Sequence, residues 1–203
     1  MLIGVRRRAY LALVCLSAAL LPTIAQAHPE EDGVANLASG FFHTLGGLDH
    51  ILAMVAIGIW AAQMGGKGRW LVPTAFVVLM VVGGVLGIVV PGVPLIEQGI
   101  MASIFVLGAL IAGARPLPFR AGALIAGGLA LFHGYAHGVE MPAVGSAWEY
   151  GFGFLLGTMV LHTAGLGGTL ALQKMIQPTI ARVLGVGVLL GGVYVVITKM
   201  GAL

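Results

Sequence analysis

The sequence predicts an all-α protein that crosses a membrane several times. Hydrophobic residues make up 59% of its 203 residues, and only 8% are charged. Ordinary soluble domains carry about 25% charged residues, and a soluble fold of this length needs more polar surface than this chain can supply. Helices satisfy their own backbone hydrogen bonds in lipid, so they are the expected element. This composition excludes an ordinary cytosolic enzyme, a disordered chain and a nucleic-acid binder, and it makes the lipid bilayer the first expected partner.

Residues 1–27 have the pattern of a cleavable secretory signal peptide. Three arginines at 6–8 precede an apolar stretch at 9–21, and Ala25-Gln26-Ala27 matches an A-x-A cleavage site. The alternative is an uncleaved first membrane helix. Cleavage would remove Cys15, the single cysteine, and leave one helical-bundle domain at 28–203 with no thiolate for a metal site.

Six segments after the signal peptide are long enough to cross the bilayer, which takes about 20 apolar residues per helix. Glycine- and proline-rich turns separate them. The predicted spans are 41–63, 70–90, 95–114, 117–138, 148–172 and 180–198. Small residues let membrane helices approach closely, and four GxxxG pairs fit this role: Gly83/Gly87, Gly134/Gly138, Gly153/Gly157 and Gly187/Gly191.

The charged residues predict the orientation of the bundle. Basic residues lie in the first, third and fifth connections, which should therefore be cytoplasmic, with the mature N-terminus outside. These residues are Lys67, Arg69, Arg115, Arg120, Lys174 and Arg182. Glutamates lie in the second and fourth connections, at Glu97, Glu140 and Glu149, and Glu97 and Glu149 are expected to be solvated. Lys199, near the C-terminus, departs from the pattern.

Ionisable residues inside membrane spans are costly and indicate function. A first motif contains His43, Asp49 and His50, with the two histidines expected on one face of one helix, about two turns apart. A second motif, in the fourth predicted span, contains His133, His137 and Glu140 at helical spacing. Because both motifs fall near the outer ends of their helices, the topology predicts that they meet, whereas His162 in the fifth span lies deeper.

Imidazole and carboxylate groups at this spacing suit a divalent first-row metal ion such as Ni, Co, Zn, Cu or Fe. Four methionines near the predicted pathway would also suit Cu(I), although methionine in an apolar helix more often packs. These are Met54, Met101, Met141 and Met159. Packing, a proton relay and bis-histidine haem ligation are the alternatives for the histidines.

The two motifs resemble the HupE/UreJ family of nickel and cobalt permeases, associated with hydrogenase and urease maturation. The resemblance rests on Gly47-Leu48-Asp49-His50-Ile51-Leu52-Ala53-Met54, on Phe132-His133-Gly134-Tyr135-Ala136-His137-Gly138-Val139-Glu140, and on His28-Pro29 after the signal. Thr44 stands where the family usually has proline. The resemblance implies an inner-membrane permease of bacteria, not an enzyme, that takes metal inward without ATP. It carries metal-linked roles to His43, Asp49, His50, His133, His137 and Glu140, and less directly to His28.

The sequence therefore predicts a secondary permease for a divalent transition metal, captured on the outer side and passed inward past His162, and the resemblance implies that this metal is Ni(II). No prosthetic group is expected. A non-transporting intramembrane metal sensor or accessory subunit is the main alternative, and Co(II), Zn(II) and Cu stay open as substrates. An intramembrane metalloprotease is disfavoured, because the chain has no His-Glu-x-x-His segment.

Overall fold

The computed structural model describes residues 34–114, 117–176 and 179–201. The predicted signal peptide, with Cys15, and the candidate ligand His28 lie outside these residues. Seven helices form the described bundle: α1 (Leu37–Gly46), α2 (Leu48–Met64), α3 (Gly68–Val89), α4 (Ile96–Gly113), α5 (Phe119–Glu140), α6 (Ala147–Met175) and α7 (Ile180–Lys199). Two short strands, β1 (Val34–Ala35) and β2 (Val144–Gly145), complete the described elements.

The all-α class is confirmed, and each of the six predicted segments contains helix. Among the described residues, four helices are long and apolar enough to cross a membrane: α3, α4, α6 and α7. The bent pair α1–α2 raises the number to five if it counts as one span. Helix α5 is 22 residues long, but it is not among these candidates. The described residues therefore form a helical chain with four or five candidate spans, and the number of six spans stays a prediction.

The first predicted span, 41–63, is wrong as a single helix. Helix α1 ends at Gly46, Gly47 has extended backbone angles (φ −107°, ψ 124°), and α2 begins at Leu48. The axes of α1 and α2 differ by 88°. Two consecutive glycines have low helix propensity, which makes this the weakest point of the segment. His43 and His50 consequently lie on different helices, and not on one face of one helix as the spacing suggested.

A short parallel β-ladder places the starts of α1 and α6 side by side. Val34 pairs with Val144, and the backbone N–H of Ser146 donates to the carbonyl of Ala35 at 2.7 Å. Each helix then begins with a capping side chain: Asn36 accepts from the Ser39 N–H in a capping box, and Ser146 accepts from the Glu149 N–H. The ladder was not expected from the sequence, because each strand has only two residues.

Glycines lie where helix backbones come closest. A Cβ added to Gly83 or Gly87 of α3 would meet the backbone of α5, and a Cβ on Gly134 or Gly138 of α5 would meet the backbone of α3. Gly153 and Gly157 of α6 face α1 in the same way. Three of the four predicted GxxxG pairs are therefore at interfaces. In the fourth pair Gly191 faces Leu52, whereas a Cβ on Gly187 has no neighbour within 4 Å among the described residues.

Candidate metal site

The break between α1 and α2 brings the first motif to one end of the bundle. His43 comes from the last turn of α1, and Asp49 and His50 come from the first turn of α2. Asp49 is buried, and its Oδ1 accepts from both the backbone N–H and the Nδ1 of His50, each at 2.9 Å. A Cβ on Gly47 would meet Asp49 Oδ1 at 2.6 Å and His50 Nδ1 at 2.8 Å. A larger residue at this position would therefore displace these two side chains from their present contact.

The second motif lies along one side of α5, as its spacing predicts. The helix continues to Glu140, so His133, His137 and Glu140 follow one another towards its C-terminal end. His133 and His137 are buried, and Glu140 is half-exposed. Gly134 and Gly138, next to these histidines in the chain, let α5 pack closely against the backbone of α3. The glycines of this motif thus permit the close contact between α3 and α5 that holds the two histidines in position.

The two motifs meet, as the predicted topology required. The ring centroids of His43 and His137 are 5.0 Å apart, those of His50 and His137 are 4.3 Å apart, and those of His50 and His133 are 5.3 Å apart. Four imidazoles from three helices therefore form one continuous cluster, with His137 in contact with two of the others. We call His43, His50, His133 and His137, together with Glu140, the histidine cluster.

Three members of the histidine cluster have the geometry to share a metal ion. One ligand atom from each of His43, His137 and Glu140 lies within 4.8 Å of the other two. His43 Nε2 is 3.3 Å from Glu140 Oε2, and His137 Nδ1 is 3.9 Å from the same oxygen. Two imidazole nitrogens and a carboxylate oxygen form an open three-ligand set of the kind that leaves positions for exchange.

Hydrogen bonds determine which ring nitrogens of His50 and His133 carry lone pairs. Because a carboxylate only accepts, His50 Nδ1 must donate to Asp49, and in the neutral imidazole Nε2 then carries the lone pair. The Ser103 hydroxyl donates to the Ile100 carbonyl at 2.6 Å, so at 2.8 Å it accepts from His133 Nε2, and His133 Nδ1 carries the lone pair. Both lone-pair nitrogens are buried and have no hydrogen-bond partner in the described structure. Buried polar atoms without partners are rare, and these two point to a ligand.

Asp49 occupies a different place from the other candidate ligands. Its Oδ1 is bound by His50, and its Oδ2 is 2.9 Å from Lys199 Nζ. In this arrangement Asp49 orients a neighbouring imidazole, the role that carboxylates often have behind metal-binding histidines. Its predicted role as a direct ligand stays a prediction, since both of its oxygens are engaged here.

His162 lies apart from the histidine cluster and behind an aromatic side chain. The fully buried ring of Phe76 is 5.8 Å from the ring of His133 and 5.3 Å from that of His162. His162 is itself buried, and its Nε2 has no hydrogen-bond partner among the described residues. The structure therefore places a further buried imidazole outside the cluster, and the Phe76 ring contacts both this imidazole and His133.

Three residues near the site were not singled out from the sequence. Ser103 orients His133, Phe76 separates His133 from His162, and Lys199 binds Asp49. Serine, phenylalanine and a terminal lysine are common in membrane helices, so no local pattern marks them. The one available signal was the departure of Lys199 from the charge asymmetry. Glu97 is exposed, as expected for a solvated charge, and its Oε2 also lies 2.8 Å from Lys199 Nζ, a contact that the sequence did not predict.

An apolar cavity of about 450 Å³ lies beside His137, between α3, α5 and α6. Its walls are almost entirely hydrophobic, including Met80, Trp148 and Phe154. His137 and Tyr150 are its polar lining residues, so the cavity offers few ligand atoms to a hydrated cation. Half-exposed Glu140 and partly exposed His43 therefore provide the polar approach to the histidine cluster.

Comparison with known proteins decides the family. The sequence model described as "HupE / UreJ protein" matches residues 16–195. The chain belongs to the HupE/UreJ family. It is also 45% identical over 178 residues to "Protein HupE" of Rhizobium leguminosarum bv. viciae, covering 87% of this chain and 92% of that protein. No solved structure matches the chain significantly. The resemblance inferred from the two polar motifs is confirmed, and this HupE/UreJ family member is a multi-pass helical membrane protein.

Proposed function

We propose that this HupE/UreJ family member is a secondary permease that imports a divalent transition metal ion, with Ni(II) as its main substrate, across the bacterial inner membrane. The observation that carries the proposal is the convergence of His43, His137 and Glu140, with ligand atoms within 4.8 Å of one another, in a bundle of apolar helices. Family membership supports nickel as the substrate, because HupE/UreJ is a hydrogenase and urease accessory family related to nickel.

The site has the features of a transport site more than of a storage site. Glu140 is half-exposed and His43 is partly exposed, so an ion can exchange with solvent at this end of the bundle. A transported ion must bind strongly enough to enter and weakly enough to leave. An incomplete set of two imidazoles and one carboxylate satisfies both requirements, because water keeps the remaining coordination positions.

The buried imidazoles suggest the direction of onward transfer. An ion that leaves His43 and Glu140 meets the lone-pair nitrogens of His50 and His133, and then His162 beyond Phe76. Movement of the Phe76 ring is the step that would connect the two sides, since this fully buried ring separates them. On this mechanism the chain needs no ATP site, and none of its residues acts as a catalyst.

Uptake of radioactive nickel into proteoliposomes tests the proposal. Wild-type protein should accumulate nickel, and His43→Ala combined with His137→Ala should abolish uptake because two of the three convergent ligands are lost. Thr163→Ala is a matched control, since its hydroxyl donates within its own helix at an exposed position. Binding of nickel without uptake by the wild-type protein would instead support the metal sensor or accessory subunit, and absence of both would reject the metal site.

A further inference from the structure

Lys199 joins three helices at the end of the bundle that carries the histidine cluster. It lies in the last turn of α7, and its Nζ is 2.9 Å from Asp49 Oδ2 on α2 and 2.8 Å from Glu97 Oε2 on α4. The side chain of Asp49 is only 7% exposed, whereas those of Lys199 and Glu97 are 43% and 55% exposed. The ammonium group therefore reaches from the surface to a buried carboxylate.

The charge of Lys199 changes what Asp49 can offer to an incoming cation. A buried carboxylate without a counter-ion is costly, and Lys199 supplies that counter-ion when no metal is bound. With Lys199 on Oδ2 and His50 on Oδ1, neither oxygen is available to a metal ion. If Asp49 takes the ligand role that the family resemblance implies, a divalent cation and the ammonium group compete for the same carboxylate.

Glu97 gives the ammonium group of Lys199 a second carboxylate partner. It is exposed enough to follow the lysine side chain, so an ammonium displaced from Asp49 keeps one carboxylate partner and does not become an unpaired charge. A lysine side chain is long and flexible, and it can make this change without moving the helix that carries it.

We propose, on the basis of the permease function above, that Lys199 is a tethered counter-ion that holds Asp49 in the metal-free protein and that a divalent cation must displace towards Glu97. Lys199 is thus a positioning residue that sets how tightly the histidine cluster binds its ion. By competing for Asp49 it weakens binding, and by returning to Asp49 it promotes release. Apart from the arginines of the predicted signal peptide, Lys199 is the one lysine or arginine outside the predicted cytoplasmic loops. The proposal explains why it lies beside the candidate metal site.

A purely structural role makes the opposite prediction. If Lys199 only braced α7 against α2 and α4, its removal would loosen the cluster and weaken metal binding. If it is a competing cation, its removal leaves Asp49 free and strengthens binding. The sign of the change in affinity therefore separates the two roles.

Lys199→Met keeps the length of the side chain and removes its charge. We expect nickel chloride titrated into the full-length, detergent-purified protein to bind about tenfold more tightly than to wild type, an effect of the size produced by groups behind metal ligands. In proteoliposomes the nickel concentration for half-maximal uptake should fall together with the maximal rate, because a tighter site releases its ion more slowly. Lys174→Met is the matched control, since Lys174 is exposed in the last turn of α6 and should change neither value.

Lys199→Gln keeps the hydrogen-bonding capacity towards both carboxylates without the charge, and it provides a second test if Lys199→Met does not fold. Tighter binding in either folded variant supports the proposal. Unchanged or weaker binding in a folded variant overturns it, and failure of both variants to fold overturns it in favour of a structural brace. If wild-type protein itself binds no nickel, the proposed function fails first, which distinguishes that result from a failure of the counter-ion role alone.

Discussion

Ser103 determines which nitrogen of His133 is available to a ligand. Its hydroxyl proton is committed to the Ile100 carbonyl, so it can only accept from His133 Nε2, and Nδ1 keeps the lone pair. Asp49 does the same for His50 by accepting from Nδ1. Two neighbouring histidines are therefore held in opposite tautomers by different partners. A protein that only packed these rings would not need both lone pairs buried and unbound.

Ser103→Ala should weaken nickel binding while leaving the ligands themselves intact. Without the hydroxyl, the orientation and tautomer of His133 are no longer set, and loss of a group behind a metal ligand costs about 10–100-fold in affinity. Nickel titration of the purified protein measures this. Thr198→Ala, whose hydroxyl donates to carbonyls of its own helix, is the control. Equal affinity in Ser103→Ala and wild type would show that His133 is not part of the binding site.

At the scale of elements, the break at Gly47 and the glycine interfaces build the site. The 88° bend turns α2 away from α1, which brings His43 and His50 to the same cluster from different helices. Thr44 stands where the family usually has proline, and its hydroxyl donates to the carbonyls of Gly40 and Phe154, at 3.3 Å and 3.2 Å. The bend therefore occurs without that proline, three residues later, at a pair of glycines.

Gly47→Ala should lower nickel affinity about tenfold or more, because its Cβ would displace the Asp49 and His50 side chains behind the metal site. Gly46→Ala is an adjacent control, since a Cβ there has no neighbour within 4 Å in the described structure. Nickel titration compares the two variants. Equal losses in both would point to a general effect on the glycine pair and against a specific clash.

Gly134→Ala should reduce stability, because its Cβ would meet the backbone of Met80 and Gly84 on α3. Overpacking of this kind costs about 1–3 kcal/mol, which lowers the melting temperature of the detergent-purified protein. Gly128→Ala on the same helix meets no atom within 4 Å among the described residues and should leave the melting temperature unchanged or slightly higher. A stable Gly134→Ala variant would contradict the close α3–α5 packing.

At the scale of the whole molecule, the two ends of the bundle differ in charge. Carboxylates cluster at the end that carries the histidines, and Lys199 is tied to two of them. Lys67, Lys174 and Arg182 lie at helix ends or connections on the opposite side. A cation approaching the first end meets negative charge at the mouth of the site, which raises its local concentration, although the net charge of the chain is +3.

This asymmetry predicts the orientation in the membrane. A cysteine introduced as Gly66→Cys, in a Cys15→Ser background, should react only with reagents that reach the cytoplasm, because positively charged loops stay inside. Ala143→Cys, in the exposed connection before α6, should react from outside and serves as the opposite control. Reversed labelling of the two sites would reject the predicted topology.

The sequence by itself determined the class, the family and the identity of the clustered side chains. Hydrophobic composition predicts membrane helices, and the spacing of His133, His137 and Glu140 predicts their common side of α5, because both depend on local periodicity. The choice of His43 and His50 also came from local pattern. The prediction that these two histidines share one helical face was wrong. The spacing of residues cannot show that a glycine pair interrupts the helix.

Only the tertiary structure decided which distant groups touch. The pairing of Lys199 with Asp49 and Glu97, the hydrogen bond from His133 to Ser103, and the place of Phe76 between two histidines all join residues far apart in the chain. No period or motif encodes such contacts, because they follow from how helices pack through their glycines. The sequence therefore predicted the candidate ligands, and the packing decided which of them lie together and which groups contact them.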